Sequence, residues 1–155
     1  MTNQELQLLV EKVSLNFFKK PFLHKASFNR RLKTTGGRYH LEGHGLDFNP
    51  RIWELYGEEE LIAVIKHELC HYHLHLEGKG YQHKDTAFKK LLKDTGGSRY
   101  APPLVDVLYQ VYECQNCGAQ IKRRKKLNTQ RFGCGRCRGK LKWLNEQTFS
   151  VHELK

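Results

Sequence analysis

Apolar residues recur at helical intervals in three stretches of this chain and at shorter, mixed intervals elsewhere. The first stretch, MTNQELQLLVEKVSLNFF, places Leu6, Leu9, Val10, Val13 and Phe17 on one stripe and predicts an amphipathic helix. The second, Glu58–Leu76, carries Leu61, Ile62, Val64, Ile65, Leu69, Tyr72 and Leu76 on more than one face, the pattern of a helix buried centrally in a domain. Glu58, Glu59 and Glu60 open it, where the helix dipole favours negative charge, and Gly78 and Gly80 close it. The third, HKDTAFKKLLKD, begins at His83 and has Ala87, Phe88, Leu91 and Leu92 as its apolar face.

Between the first two helices the periodicity shortens. Pro21 breaks the helical pattern, and residues 28–33 and 38–42 flank Thr34-Thr35-Gly36-Gly37 in a way that predicts a hairpin. Leu46-Asp47-Phe48 follows a turn marked by Gly43 and Gly45, and Asn49-Pro50 opens a short helix through Ile52, Trp53 and Leu55. Beyond the third helix, Gly96-Gly97-Ser98 and Pro102-Pro103 set a soft boundary. In the tail, residues 119–127 contain IKRRKK and predict a basic strand turning at Asn128-Thr129, with a later strand at Leu141-Lys142-Trp143-Leu144. The expected fold class is therefore α+β, with helices and a small β-sheet over residues 1–100 and a β-rich subdomain over residues 101–155.

Composition narrows this picture. With 39% hydrophobic residues in 155, the chain can bury a real core, which excludes wholesale disorder. No apolar run approaches the roughly 20 residues that span a bilayer. The N-terminus lacks a basic n-region and a small-residue cleavage site. A cytoplasmic protein with no membrane partner is expected, with a monomer the favoured state. The net charge of +11 is uneven: residues 1–100 hold 16 Lys+Arg against 12 Asp+Glu, and residues 101–155 hold 11 against 4. A basic excess concentrated in one segment points to an acidic partner, nucleic acid (DNA) foremost, although a lysine-rich soluble surface would read the same way. Tyr109, Tyr112, Phe132 and Trp143 lie among these charges, where aromatic rings can stack on unpaired bases or fill the thin core of a small ribbon.

Two constellations carry chemistry. His67-Glu68-Leu69-Cys70-His71 is an H-E-x-x-H run within the central helix. Residues 67 and 71 lie one turn apart on one face, so both imidazoles can grip one Zn²⁺ while Glu68 serves as general base toward a water. A pair of hydrogen-bonded core histidines is the plain structural alternative. A zinc hydrolase site takes three protein ligands and keeps one position open. His73 lies ~200° round the helix from His71, and His75 has its Cα ~12 Å along the axis from that of His67, so neither closes the site. Cys70 points ~100° from His71 and reads as a small buried side chain. His83 reaches the metal if the third helix folds back over the second; otherwise it is an exposed residue near a helix start.

The second constellation is C-x2-C-x16-C-x2-C, made by Cys114, Cys117, Cys134 and Cys137. Without a secretion signal this is metal spacing rather than a disulfide framework. Four thiolates on two tight turns close a tetrahedral site with no open position, so a Zn²⁺ there is structural.

In order along the chain, the Thr35-Gly36-Gly37 hairpin, Leu46-Asp47-Phe48-Asn49-Pro50, His67-Glu68-Leu69-Cys70-His71, His83 followed by Phe88, and the paired C-x2-C ribbon resemble the SprT-like family, which includes the Spartan proteases of eukaryotes. The resemblance spans roughly residues 5 to 145. It implies a zincin-like metalloprotease core plus a C-terminal zinc ribbon. His67, His71 and His83 would hold a catalytic Zn²⁺, Glu68 would be the catalytic acid/base, and Cys114, Cys117, Cys134 and Cys137 would hold a structural Zn²⁺. It implies a zinc-dependent metallopeptidase with a protein or peptide substrate, and in Spartan-type relatives that substrate class is protein crosslinked to DNA. The alternative expectation is a nucleic-acid-binding zinc protein with weak or no protease activity. Tyr72, Tyr81 and Tyr39 stand as candidates for stabilising an oxyanion.

Overall fold

A computed structural model describes residues 1–154. The chain forms two compact units, Met1–Leu104 and Val105–Lys155.

The first unit begins with α1, Asn3–Val13. Its start is fixed by a capping box: the Thr2 hydroxyl accepts from the Glu5 N–H at 3.1 Å, and the Glu5 carboxylate accepts from the Thr2 N–H at 2.9 Å. Leu6, Val10 and Val13 are buried as the periodicity predicts, but Phe17 is not. A π-helical turn, Ser14–Phe18, adds one residue to the last turn, so Phe18 goes inward (8% exposed) and Phe17 outward (47%).

Three short strands follow: β1 Ala26–Phe28, β2 Gly37–Tyr39 and β3 Leu46–Phe48. The sheet order is β1-β3-β2, with β1 parallel and β2 antiparallel to β3. The hairpin expected between residues 28–33 and 38–42 therefore does not form, because β3 occupies the position between them. Asn49 supplies the physical reason. Its side-chain amide donates to the carbonyls of Leu32, Lys33 and Thr35, and its backbone N–H donates to Gly36 O at 2.8 Å. The carbonyls a hairpin turn would use are thus tied to one buried side chain. Asn49 also caps α2, Pro50–Tyr56, by accepting from the Arg51 N–H at 3.0 Å.

α3, Glu58–Leu76, runs through the centre of the unit and packs against α1, α2, β2 and the next helix. It buries Leu61, Val64, Ile65, Leu69, Cys70, Tyr72 and Leu74, together with Glu68 and His73. Leu76, read as part of the apolar pattern, is 46% exposed in the last turn. α4, Thr86–Thr95, buries Phe88 and Leu92 and half-buries Ala87 and Leu91. His83 precedes this helix rather than beginning it. Among the described residues no helix is long and apolar enough to cross a membrane.

In the second unit β4 Val107–Cys114, β5 Gln120–Arg123 and β6 Leu141–Phe149 form an antiparallel sheet of order β5-β4-β6, with a bulge at Val111/Tyr112. The basic strand expected over 119–127 is confined to Gln120–Arg123, and its partner is β4, reached through the Cys114–Gly118 turn instead of Asn128-Thr129. The strand expected at 141–144 continues to Phe149. Tyr112, Cys114, Cys134 and Leu141 make the small core, and the Tyr112 hydroxyl accepts from the Leu127 N–H at 2.8 Å.

Candidate metal centre

α3 carries His67 and His71 one turn apart, and each ring is oriented by a main-chain carbonyl. His67 Nδ1 lies 2.7 Å from Ser98 O, and His71 Nδ1 lies 2.5 Å from Tyr81 O. A carbonyl only accepts, so both Nδ1 atoms carry the proton and both Nε2 atoms are left with a bare lone pair. The segment after α3 folds back and sets His83 Nε2 at 3.0 Å from His67 Nε2 and 2.9 Å from His71 Nε2, with 3.3 Å between the latter two.

Two unprotonated nitrogens cannot hydrogen-bond to each other. The His67–His71 edge therefore brings lone pairs together and favours a cation between them. The spacing suits one: four ligands at roughly 2.0–2.1 Å from Zn²⁺ in tetrahedral array stand about 3.3 Å apart. The three histidines could hold a metal ion. His67 and His71 are half-buried and His83 is exposed, so the group opens toward solvent on the His83 side. Phe88 of α4 walls the group, stacked on His71 at 4.4 Å and set edge-on to His67 at 5.3 Å and His83 at 5.2 Å. Burial pushes the His71 imidazole down to about 4 and lowers His67 as well, against the carbonyl hydrogen bonds that act the other way. Neutral imidazole is the ligating form.

Glu68, next to this group, is buried at 6% exposure, and burial pushes its carboxyl up to about 8. β2 lies directly against it. A Cβ at Gly37 would stand 2.9 Å from Glu68 Cγ and 3.2 Å from its Oε1, so only glycine lets the strand approach this closely.

The side chains of the other histidines of α3 and of the three tyrosines considered for oxyanion stabilisation are engaged in contacts outside the triad. Ser14 Oγ donates to Lys20 O at 2.7 Å and so accepts from His73 Nε2 at 2.8 Å. Burial and the Lys20 charge push His73 down to about 4. His75 Nδ1 is 2.6 Å from the Tyr39 hydroxyl, which also meets His44 Nδ1 at 2.8 Å. The Tyr72 hydroxyl meets His24 Nδ1 at 2.7 Å and accepts from the Leu23 N–H at 3.1 Å. Burial, with the neighbouring Tyr72 and Tyr81, pushes Tyr39 up to about 12. Tyr81 gives its carbonyl to His71 and its ring to His75 at 4.7 Å. Cys70 is fully buried with its Sγ 3.9 Å from Thr95 Oγ1, and burial pushes its thiol up to about 12, which leaves it inert.

The second unit gathers Cys114, Cys117, Cys134 and Cys137, which could also hold a metal ion. Cys114 Sγ is 3.4 Å from Cys137 Sγ, and Cys117 Sγ is 3.7 Å from Cys134 Sγ. Thiolates at roughly 2.3 Å from Zn²⁺ in tetrahedral array stand about 3.8 Å apart. Main-chain amides point at the sulfurs: Asn116 and Cys117 N–H at Cys114, Arg136 N–H at Cys134 and Gly139 N–H at Cys137, each at 3.4 Å. Such donors favour thiolate. Asn116 and the Gly139 amide bring Cys137 down to about 6, and the Cys137 and Arg136 amides lower Cys134. In the same unit Lys122, Arg123, Arg124, Lys125 and Lys126 are exposed, as are Phe132 at 50% and Trp143 at 47%, whereas Tyr112 is core.

Comparison with known proteins places the chain in a family context. The chain matches the SprT-like family over residues 6–113. It is 64% identical over 146 residues to a protein of Enterococcus faecalis, covering 92% of this chain and 95% of the relative. It is 54% identical over 147 residues to one from Geobacillus sp. (91% and 95% covered) and 52% identical over 147 residues to one from Bacillus cereus (92% and 96% covered). All three bear the name Protein SprT-like. No solved structure matches the chain. With a family match over most of its length and relatives this similar end to end, the chain belongs to the SprT-like family.

Proposed function

We propose that the first unit is a zincin-like zinc metallopeptidase domain acting on protein or peptide substrates. The observation that carries this is the meeting of three Nε2 atoms, two of them stripped of their proton by main-chain carbonyls, beside the buried carboxyl of Glu68. His67, His71 and His83 would hold Zn²⁺. When bound, the ion supplies Lewis acidity that polarises a peptide carbonyl and makes water nucleophilic at neutral pH.

The chain's own residues do the rest. The Ser98 and Tyr81 carbonyls hold His67 and His71 in the ligating tautomer. Phe88 covers the imidazoles with an apolar wall. Glu68 takes the proton of the attacking water and returns it to the leaving amine. The test is Glu68→Gln, which keeps the shape and removes the base. Cleavage should be lost while the zinc content stays the same; undiminished proteolysis would refute the mechanism.

In the second unit, Cys114, Cys117, Cys134 and Cys137 would hold a structural Zn²⁺, and the exposed basic loop with Phe132 and Trp143 would face DNA. Arg131 already lies over the Phe132 ring at 5.3 Å, an arrangement that suits stacking on an unpaired base beside a phosphate. On this reading the substrates are DNA-associated or DNA-crosslinked proteins. The same basic loop supports a second reading, a nucleic-acid-binding zinc protein with weak or no protease activity. A salt titration of binding to single- and double-stranded DNA bears on both, since counterion release makes affinity fall steeply with salt.

A further inference from the structure

The Gly96-Gly97-Ser98 segment reads in sequence as a linker, yet it lies against the metal-binding face of α3. Gly96 takes a left-handed conformation (φ 76°) and ends α4. The Gly97 N–H then returns to Leu92 O at 3.0 Å. Ser98 makes two main-chain bonds to α3: its N–H donates to Ala63 O at 3.2 Å, and its carbonyl accepts from His67 Nδ1 at 2.7 Å. The turn therefore lies along one full turn of α3, from residue 63 to residue 67.

Gly97 sets how closely that turn can approach. A Cβ on it would fall 2.6 Å from Leu92 Cδ1, 3.1 Å from Lys66 Cβ and 3.2 Å from the His67 backbone nitrogen. The Leu92 methyl belongs to a flexible side chain, although a buried one. The other two contacts are to a Cβ and a main-chain nitrogen of a central helix, each a few tenths of an ångström too close. Any side chain at 97 must push the turn off α3 and draw the Ser98 carbonyl away from His67.

We propose that Gly97 is a positioning residue of the histidine triad: by carrying no side chain it lets the Ser98 carbonyl reach His67 Nδ1 and hold that ring in its ligating tautomer. This rests on the reading that the triad holds a metal. A His67 that loses this acceptor is free to place its proton on Nε2, and in that form it cannot ligate.

The test uses the full chain. In Gly97→Ala the zinc affinity of the triad, measured by chelator competition, should fall about 10- to 100-fold, the range for losing an outer-shell partner. The zinc of the cysteine cluster serves as the internal reference and should not change. Thr2→Ala loses only the α1 cap, so it should leave triad affinity within about twofold of the wild type. A folded Gly97→Ala with unchanged triad affinity would overturn the proposal, as would a Thr2→Ala loss equal to that of Gly97→Ala. Should Gly97→Ala fail to fold, imidazole nitrogen–proton NMR spectra of the metal-free wild type decide. A His67 proton on Nδ1 supports the proposal, and one on Nε2 overturns it. A wild-type triad that binds no zinc would defeat the peptidase reading; in metal-free Gly97→Ala a His67 proton moved from Nδ1 to Nε2 would still support the role of Gly97, and an unmoved one would overturn it.

Discussion

The two clusters that could hold a metal are built in opposite ways. Four cysteines meet on two short turns, and main-chain amides two or three residues along the chain point at three of their sulfurs. The histidine triad takes two ligands from a central helix, one from the segment before α4, and its orienting carbonyls from Tyr81 and Ser98. The cysteine cluster is complete, with four donors and no position to spare. The triad offers three donors, an exposed edge at His83 and a buried carboxyl beside it. A closed donor set holds structure, and an open one beside a proton carrier supports chemistry.

The contrast can be broken most strongly at the ribbon. Metal binding to such small cysteine sites is worth on the order of 10–16 kcal/mol and is coupled to local folding. Cys134→Ser should therefore remove the ribbon metal and collapse the amide spectrum of β4–β6, while triad zinc is retained. Loss of both metals would show that the two sites are not independent.

Phe88→Ala probes the other side. It deletes a fully buried ring and the wall of the triad together. A loss of about 3–5 kcal/mol in denaturant unfolding is expected, with weakened triad zinc and unchanged ribbon zinc.

Next in size is a pH effect confined to the metal-free first unit. Burial raises the Glu68 carboxyl from 4.5 to about 8, so the fold prefers its neutral form. That preference contributes fully below pH 4.5 and is lost as pH rises toward 8. Metal-free Glu68→Gln should thus become the more stable protein by a few kcal/mol above pH 8, with the gap vanishing in acid. His71 and His73 act with the opposite sign. Both are pushed from 6.5 down to about 4, so their contribution is present above pH 6.5 and lost as pH falls toward 4. Equal pH profiles for the two proteins in thermal melts would remove the buried carboxyl from the account.

Smallest is the control. Thr2→Ala removes the α1 cap and should cost about 1 kcal/mol. Both metal contents should stay as they are, which separates general stability from either site.

The parts legible in the sequence are those whose signal is carried by side chains at fixed spacing. The bounds of α3 follow from three glutamates, an apolar run and a glycine stop, and the cysteine turns follow from paired C-x2-C. What escaped depends on the main chain or on long-range contacts. The Tyr81 and Ser98 carbonyls have no residue signature, since any amino acid supplies one. The absent hairpin at 28–42 turns on one side chain, Asn49, acting across up to 17 residues. β4 went unread because it buries Gln110 beside Val111 and Tyr112, which breaks strict alternation. The Gln110 amide bonds Glu146 and the Trp143 indole, each at 2.9 Å, so a polar residue sits inside at little cost. The π-turn at Ser14–Phe18 exchanged Phe17 for Phe18 in the core, a one-residue slip that periodicity cannot register.

The central claim is that His83 completes a metal site distinct from the cysteine cluster. Metal analysis of the purified full chain against His83→Ala tests it most directly. The account predicts two zinc ions per chain falling to one, with the ribbon's amide spectrum intact. Two ions retained in His83→Ala, or a wild type holding only the cysteine-bound ion, would contradict it.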